Sequence, residues 1–193
     1  MRIVSMNREQ VIALLTAAKN HSRRAHAMCL LAIRHGMRCS EVTGLRLQDL
    51  NLKESWIRVE RLKGSLTTVQ SLDRHPGIPL LDEFKVLSAW MRERKNDGTE
   101  FVFTSSHGGR MNRSTFFRLW QRLAKQAGLP SNLHHPHVAK HTTGTLLAAA
   151  NANPFLIKQR LGHRAMSSAS IYCRGVEDKH SDQVARKVFM ETF

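Results

Sequence analysis

Cysteine and long apolar runs are scarce in this sequence, and each shortage excludes a class of protein. The three cysteines are too few, and too odd in number, for a disulfide framework. No apolar run approaches the roughly 20 residues that cross a bilayer, and the N-terminus lacks the pattern of a signal peptide. We therefore expect a cytoplasmic protein without a membrane partner.

Basic residues outnumber the acidic ones. The sequence has 30 lysines and arginines against 15 aspartates and glutamates, which gives a formal net charge of +15 and an isoelectric point near 10.9. The basic residues are spread over the whole length rather than held in a tail. Such a chain favours a polyanionic partner, most often nucleic acid, although a basic protein without a specific partner has the same composition.

Apolar residues at helical spacing predict a mainly helical chain, and 193 residues suffice for one domain with a substantial core. Asn7 is placed to cap the first helix, and Ser40 to cap a short helix that follows Arg38. Further helices are predicted from Ser22 to His35, from Asp82 onward and from Ser114 to Ala127. Another is predicted to end near Ala150, and the next runs from Pro154 to Gly162. The last two are predicted around Tyr172, with Ser167 or Ser168 as the cap, and after Arg174.

The periodicity changes to two between Ser55 and Leu80. Ile57 and Val59 alternate with polar neighbours, and residues that favour strands resume after the glycine that follows Lys63. This pattern predicts a small antiparallel sheet with Lys63 at its first turn. The expected fold class is therefore α+β and mainly α.

Tyr172 is the only tyrosine in the chain. His163 stands nine residues earlier, just after the helix end that Gly162 predicts, so the two side chains bracket one short loop. A phenol can act as a covalent nucleophile when nearby cations stabilise the developing charge. Taken alone, this stretch equally describes a half-buried packing residue.

Five short motifs, in their order and separations, resemble the catalytic domain of the tyrosine recombinases, also called phage integrases. They are residues 35–42 (His-Gly-Met-Arg-Cys-Ser-Glu-Val), 61–64 (Arg-Leu-Lys-Gly), 136–142 (Pro-His-Val-Ala-Lys-His-Thr), 161–163 (Leu-Gly-His) and Tyr172. The chain is most similar to the short single-domain recombinases that invert fimbrial promoter segments. The resemblance implies one catalytic domain over residues 1–193, a helical bundle with a small antiparallel β-sheet near the active site. It also implies that no N-terminal core-binding domain is present, although a truncated longer integrase would look the same.

The resemblance implies DNA cleavage and rejoining through a 3′-phosphotyrosine intermediate, in integration, excision or inversion, with no metal or other cofactor. Tyr172 is the implied nucleophile, and fixed cations and donors take the place of a metal ion at the nonbridging phosphate oxygens. These implied groups are Arg38, Lys140 and His163.

Three further residues receive implied roles. Lys63 resembles the general acid that protonates the leaving 5′-oxygen. His137 is implied to accept the proton of Tyr172 or to act as a positioning donor. Glu41, one turn into the helix after Arg38, is expected to brace that arginine rather than to act on DNA.

Lys140 departs from the family's usual His-x-x-Arg, in which the second cation is arginine. An ammonium keeps the charge but loses the bidentate geometry. Because loss of one transition-state donor costs roughly 10² to 10³ in rate, we expect a slowed enzyme rather than an inactive one. Two alternatives stay open: a catalytically impaired relative that acts as a DNA-binding accessory factor, and a type IB topoisomerase-like enzyme.

Double-stranded DNA is the expected partner, and several basic residues are candidate phosphate contacts, although solvated helix faces would look the same. These residues are Arg113, Arg118, Arg122 and Arg164. His137 and His141 have a spacing that can hold zinc, but a neighbouring glutamate and a clear third ligand are missing, so no metal site is predicted. We interpret His141, like His134 and His135, as an ordinary surface or cap residue.

The resemblance further implies a homo-tetramer on two DNA sites, and a monomer or weak oligomer without DNA. The amphipathic segment beyond Arg174, about residues 177–193, has two interpretations. An amphipathic helix usually packs on its own domain, whereas the resemblance implies that this segment docks on a neighbouring protomer.

Overall fold

A computed structural model describes residues 3–62, 64–94, 98–105 and 108–173. Lys63 and the segment predicted to form the last helix lie outside the described residues. The helices are α1 (Arg8–His21), α2 (Arg23–Arg34), α3 (Cys39–Thr43), α4 (Glu83–Glu93), α5 (Arg113–Gln126), α6 (His137–Ala149), α7 (Pro154–Leu161) and α8 (Ser167–Ser170). The strands are β1 (Leu50–Asn51), β2 (Trp56–Val59) and β3 (Thr68–Ser71).

Side-chain caps begin most of the longer helices, as the sequence predicts. Asn7 starts α1 with a capping box. Its side chain accepts a hydrogen bond from the backbone N–H of Gln10, and the Gln10 side chain accepts one from the backbone N–H of Asn7. Asp82 caps α4, and Asn153 caps α7 ahead of a proline at the first helical position. The helix predicted from Ser114 begins one residue earlier, because Asn112 is its cap.

Two predicted caps are wrong. The short helix α3 begins at Cys39 with Arg38 in the cap position, since the carboxylate of Glu41 accepts the Arg38 backbone N–H at 2.9 Å. Ser40 is therefore a helical residue. Likewise Ser167 is the first residue of α8 and the cap position is Met166, so Tyr172 lies in the turn that follows this four-residue helix.

The sheet has the strand order β1-β2-β3, and both pairings are antiparallel. The predicted pair is confirmed as β2 and β3, which align Ile57 with Gln70. Strand β1 was not predicted, because a two-residue strand is too short to show an alternating pattern. The class prediction, α+β and mainly α with a small antiparallel sheet, is confirmed.

Helix α2 is the centre of the main core. Every residue from Ala25 to Ile33 is buried, because α1, α4 and α6 pack against different sides of this helix. A second, smaller cluster surrounds Tyr172 and contains Ala148, Ile157, Leu161, Ala169 and Cys173. In the described part of the chain, no helix combines the length and the apolar character needed to cross a membrane.

Candidate active site

An open groove of about 620 Å³ lies where α6, the α7–α8 connection, the start of α3 and the β2–β3 loop meet. It collects side chains that are far apart in sequence. The residues that line it are Arg38, Gly64, Ser65, His137, Lys140, His141, His163, Arg164, Ala165, Ser167, Ser168, Ile171 and Tyr172. Of the six predicted catalytic residues, five line this groove; the sixth, Lys63, is outside the described residues, although the next residue, Gly64, is at the groove.

Tyr172 is nearly buried, with 6% of its surface exposed. Its ring lies directly over the backbone of Gly144 in α6, where a Cβ atom would be 2.7 Å from the ring carbons. The His163 ring lies nearly parallel to the Tyr172 ring, at 14° and a centroid distance of 6.4 Å. Burial raises the pKa of Tyr172 to about 12, so the hydroxyl is protonated at neutral pH and needs a proton acceptor.

His141 contacts the hydroxyl of Tyr172: Nδ1 lies 3.1 Å from the phenolic oxygen. The interpretation of His141 as an ordinary surface residue is therefore wrong. His137 is exposed one helical turn earlier, and its ring meets the His141 ring edge to face at a centroid distance of 4.8 Å. The spacing of four residues that suggested a zinc pair was the available signal that both rings share one face of α6.

Burial and the charges of the groove favour the neutral form of His163 and His141. Burial lowers the pKa of His163 to about 4, and the nearby charges of Lys140 and Arg38 act in the same direction. The pKa of His141 is also lowered, first by burial and then by its basic neighbours on α6. A neutral imidazole can donate one hydrogen bond and accept another, which suits groups that hold a phosphate or receive a proton.

Lys140 is the most deeply buried cation of the groove, with 3% of its surface exposed. Its ammonium donates a hydrogen bond to the carbonyl oxygen of Leu161 at 3.0 Å. Burial lowers the pKa of Lys140 to about 7, and the guanidinium groups of Arg38 and Arg61 contribute by repulsion. The free protein therefore holds this amine near the midpoint of its titration at neutral pH.

Glu41 contacts Arg38, one of the two arginines that line the groove. Its fully buried carboxylate accepts hydrogen bonds from Nη1 of Arg38 at 2.8 Å and from the backbone N–H of Leu62 at 3.2 Å. Burial disfavours the charged carboxylate, but the Arg38 backbone N–H and the charge of Arg61 outweigh it and lower the pKa of Glu41. The carboxylate therefore lies against Arg38, and the bracing role of Glu41 stays a prediction.

The β2–β3 loop, which carries Lys63, is attached to the groove at two points. Arg38 donates to the Leu62 carbonyl oxygen at 3.0 Å, and both of its terminal nitrogens lie 3.4 Å from the Ser65 hydroxyl. Farther along, the Leu66 N–H donates to the Gly162 carbonyl oxygen at 2.8 Å. Gly162 is left-handed at φ +66°, and a Cβ atom there would collide with the Leu66 carbonyl oxygen.

Arg61 supports this assembly, although its place in the 61–64 motif gave it no predicted role. Its buried guanidinium donates to the carbonyl oxygens of His35 at 2.6 Å, Gly36 at 2.8 Å and Arg160 at 2.9 Å. It thereby ties the end of β2 to the ends of α2 and α7. The signal was present, because the two-residue alternation that buries Ile57 and Val59 predicts an inward side chain at position 61.

The candidate DNA contacts fall into two places. Arg164 is exposed at the rim of the groove. The other three, Arg113, Arg118 and Arg122, are exposed on α5 and are absent from the lining of the groove. Helix α5 packs against α1 and α3. Within the described ranges, no group of three histidine, cysteine or acidic side chains is arranged to hold a metal ion.

Comparison with known sequences gives one family. The model of the phage integrase family matches residues 5–178. Type 1 fimbriae regulatory protein FimE of Escherichia coli (strain K12) is 37% identical over 145 residues, which cover 73% of this chain and 69% of FimE. FimB of the same strain is 32% identical over 165 residues, which cover 82% of this chain and 78% of FimB.

Comparison with solved structures gives the same fold. The Tn1549 transposon integrase in complex with circular intermediate DNA superposes with a TM-score of 0.80 at 19% identity. The match covers 97% of this chain and 68% of that chain. A similarity at this level of identity supports the architecture, while the chemistry has to be argued from the side chains of the groove.

Proposed function

This chain belongs to the phage integrase family and is a site-specific tyrosine recombinase, and we propose that Tyr172 is its nucleophile. The observation that carries the proposal is the groove itself. The only tyrosine of the chain has its hydroxyl 3.1 Å from a neutral imidazole, in a groove lined by two arginines and a lysine. Such a site combines a nucleophile, a proton acceptor and cations for a phosphate.

The proposed reaction transfers the phosphoryl group of a DNA phosphodiester from the 5′-oxygen to the Tyr172 oxygen. The Tyr172 oxygen bonds to phosphorus, the bond from phosphorus to the 5′-oxygen breaks, and a 3′-phosphotyrosine and a free 5′-hydroxyl result. The energy of the phosphodiester bond is retained in the phosphotyrosine. Attack of a second 5′-hydroxyl therefore rejoins the strand without ATP.

The side chains around Tyr172 suit the charge that develops on the nonbridging oxygens. Arg38 supplies a planar guanidinium that Glu41 holds from behind, and Lys140 supplies a second cation from α6. His163 is neutral near pH 7 because its pKa is about 4, so it would act as an N–H donor rather than as a cation. Donors fixed in a partly buried groove stabilise such charge more than donors in water.

Lys63 is proposed to protonate the leaving 5′-oxygen. Its neighbours support this role, since the Leu62 carbonyl oxygen accepts from Arg38 and Gly64 lines the groove. General acid catalysis of this kind contributes about 10² to 10⁴ in rate. Lys140, by contrast, is buried and only partly charged, which supports the expectation of a slowed enzyme.

Double-stranded DNA is the proposed partner, held first by charge. The net charge of +15 favours a polyanion, and Arg164 at the rim is placed for a phosphate contact. The Tn1549 integrase, which has the same fold, binds DNA in its solved structure. We propose further that four protomers assemble on two DNA sites, and that the free protein is a monomer or weak oligomer.

Covalent trapping tests the proposed nucleophile. The protein is incubated with fragmented source DNA that includes the flanks of its own gene, denatured, and its linked 3′ ends are sequenced. We expect an adduct with the wild type and none with Tyr172→Phe. Because that change removes a single oxygen, salt-sensitive DNA binding is expected to stay unchanged.

The other outcomes separate the alternatives. Clear DNA binding without an adduct, in both the wild type and Lys140→Arg, would favour the accessory factor. An adduct with relaxed plasmid but without exchanged strands would favour the topoisomerase-like activity.

A further inference from the structure

The hydroxyl of Tyr172 faces α6, and the side chain that meets it there is His141. The Nδ1 atom of His141 is 3.1 Å from the hydroxyl oxygen, a hydrogen-bonding distance. We propose that Nδ1 of His141 accepts the proton of Tyr172 as the phenol attacks phosphorus, which makes His141 a catalytic residue. This inference rests on the proposed function, in which Tyr172 is the nucleophile.

His137 is the acceptor that the family resemblance implies, and its position is less suitable. It begins α6, its side chain is exposed, and its ring meets the His141 ring at a centroid distance of 4.8 Å. His141 is favoured as the acceptor because its Nδ1 atom contacts the hydroxyl of Tyr172.

The step balances with the residues of this chain. In the acceptor tautomer Nε2 carries the hydrogen of the imidazole, and the Nδ1 lone pair faces the phenol. The O–H bond of Tyr172 breaks, the Nδ1–H bond forms, and the phenolic oxygen bonds to phosphorus. When the strand is rejoined, the same Nδ1–H returns the proton to the departing phenolate.

The protonation states allow this transfer. The pKa of His141 is lowered by burial and then by the charges of His137, His135 and Lys140, so the ring is neutral at pH 7. The pKa of Tyr172 is raised to about 12, so spontaneous loss of the phenol proton is rare. An acceptor in contact with the hydroxyl is therefore needed in the step in which the oxygen attacks.

Helix α6 provides both contacts of the phenol. His141 and Gly144 are three residues apart and face the same side of the helix. The Tyr172 ring packs against Gly144, and the His163 ring lies nearly parallel to it at a centroid distance of 6.4 Å. The contact with Gly144 therefore places the phenol where its oxygen meets His141.

The test uses the single tyrosine of the chain. Because Tyr172 is the only tyrosine, growth on a difluorinated tyrosine labels this position alone and lowers the pKa of the nucleophile. A more acidic phenol depends less on a base. Single-turnover adduct formation is measured for ordinary and fluorinated forms of the wild type, His141→Gln, His137→Gln and Arg38→Lys.

We expect His141→Gln to slow adduct formation by about 10² to 10⁴, the range of general base catalysis, and His137→Gln to slow it by less. Fluorination should raise the rate of adduct formation by His141→Gln at least tenfold and change the rate of Arg38→Lys little. The comparison is made within one variant, so a general loss of folded protein lowers both forms alike and leaves the ratio unchanged.

Two results would overturn the inference. One is an equal effect of fluorination in the wild type and in His141→Gln, and the other is a larger loss in His137→Gln than in His141→Gln. If the wild type forms no Tyr172 adduct at all, the proposed function fails together with this inference. An adduct in the wild type that His141→Gln leaves unchanged removes the inference alone.

Discussion

The environment of Lys140 conflicts with the role that is proposed for it. A cation for the phosphate has to be charged, yet burial beside Arg38 and Arg61 lowers the pKa of this amine to about 7. Arginine at the same position would stay charged, because a guanidinium keeps its proton far above neutral pH. An arginine at position 140 and this lysine should therefore differ in how the reaction depends on pH.

We predict that Lys140→Arg raises the rate of adduct formation by about tenfold or more at pH 8. In the wild type the rate should fall as the pH rises through 7, since the neutral amine no longer attracts the phosphate. The variant should lack this decline. The measurement is adduct formation between pH 6 and pH 9 at subsaturating protein, which reports ionisations of the free enzyme.

Lys125→Arg is the matched control, because Lys125 is exposed on α5 and does not line the groove. It should leave both the rate and the pH profile unchanged. A Lys140→Arg protein that is no faster than the wild type would contradict a phosphate-binding role for this residue.

At the level of elements, α6 organises the site. It carries Lys140 and His141 toward the groove and leaves a gap at Gly144 that the Tyr172 ring fills. The sequence predicted the helix, but the need for a glycine in its middle was not evident. Glycine in a helix interior costs about 0.5 to 1 kcal/mol relative to alanine, and here the missing Cβ gives the nucleophile its place.

We predict that Gly144→Ala lowers adduct formation by about 10² or more while the helix becomes no less stable. The added Cβ would be 2.7 Å from the ring carbons of Tyr172, so the ring has to move and its hydroxyl leaves His141. A misplacement of about 1 Å is enough to cost 10² in rate. Covalent trapping together with DNA binding by gel shift would check this.

Thr145→Ala is a suitable control, since Thr145 is the next residue of α6 and is not part of the groove lining. Its cleavage rate should stay close to that of the wild type. Full activity of Gly144→Ala would mean that the contact of Tyr172 with α6 is not needed for the reaction.

At the scale of the whole molecule, a buried polar junction joins α2 to α4 and β3. Nε2 of His35 lies 2.7 Å from Oε1 of Glu83, and neither side chain is exposed. The other oxygen of Glu83 accepts the backbone N–H of Asp73, and Nδ1 of His35 lies 2.9 Å from Oε1 of Gln70. Burial would raise the pKa of Glu83, but these contacts outweigh it, and the pKa is lowered.

We predict that Glu83→Gln lowers the free energy of unfolding by about 3 to 5 kcal/mol at pH 7, because it leaves the buried His35 without its carboxylate partner. A carboxylate with a lowered pKa stabilises the fold above its usual pKa, and this contribution is lost as the pH falls through the lowered value. The difference between variant and wild type should therefore shrink in acid. Urea denaturation at neutral and acidic pH measures it.

Glu93→Gln provides the comparison. Glu93 pairs with Arg23 on the surface, where the two side chains are 46% and 64% exposed, and such pairs contribute at most about 1 kcal/mol. An equal loss of unfolding free energy in both variants would show that the buried junction contributes no more to stability than the surface pair.

Assembly on DNA is the other property at this scale. We predict that deletion of residues 178–193 leaves binding to a single DNA site intact and abolishes complexes that contain two DNA sites. The reason is that the family resemblance implies docking of this segment on a neighbouring protomer, whereas an amphipathic helix by itself would pack on its own domain. Gel shift with two labelled sites of different length reads this out, and assembly that survives the deletion means that the segment packs on its own domain.

The sequence by itself determined most of the helices, the strand pair and the family, because these depend on local order. Asn7 and Asp82 begin helices through bonds to backbone a few residues away, and the alternation at Ile57 and Val59 is a property of one strand. The motifs around Arg38 and Tyr172 are equally local. Their roles in the reaction stay predictions that the trapping experiments test.

Only the tertiary structure decided which histidine meets the nucleophile, how charged Lys140 is, and what Arg61 and Gly144 are for. Each of these depends on groups from several elements that meet in one groove. The pKa of an amine depends on its burial and on charges that other segments bring near it. No spacing within one segment carries that information, since Tyr172 and His141 are separated by 31 residues and become neighbours only when α8 packs on α7 and α7 on α6.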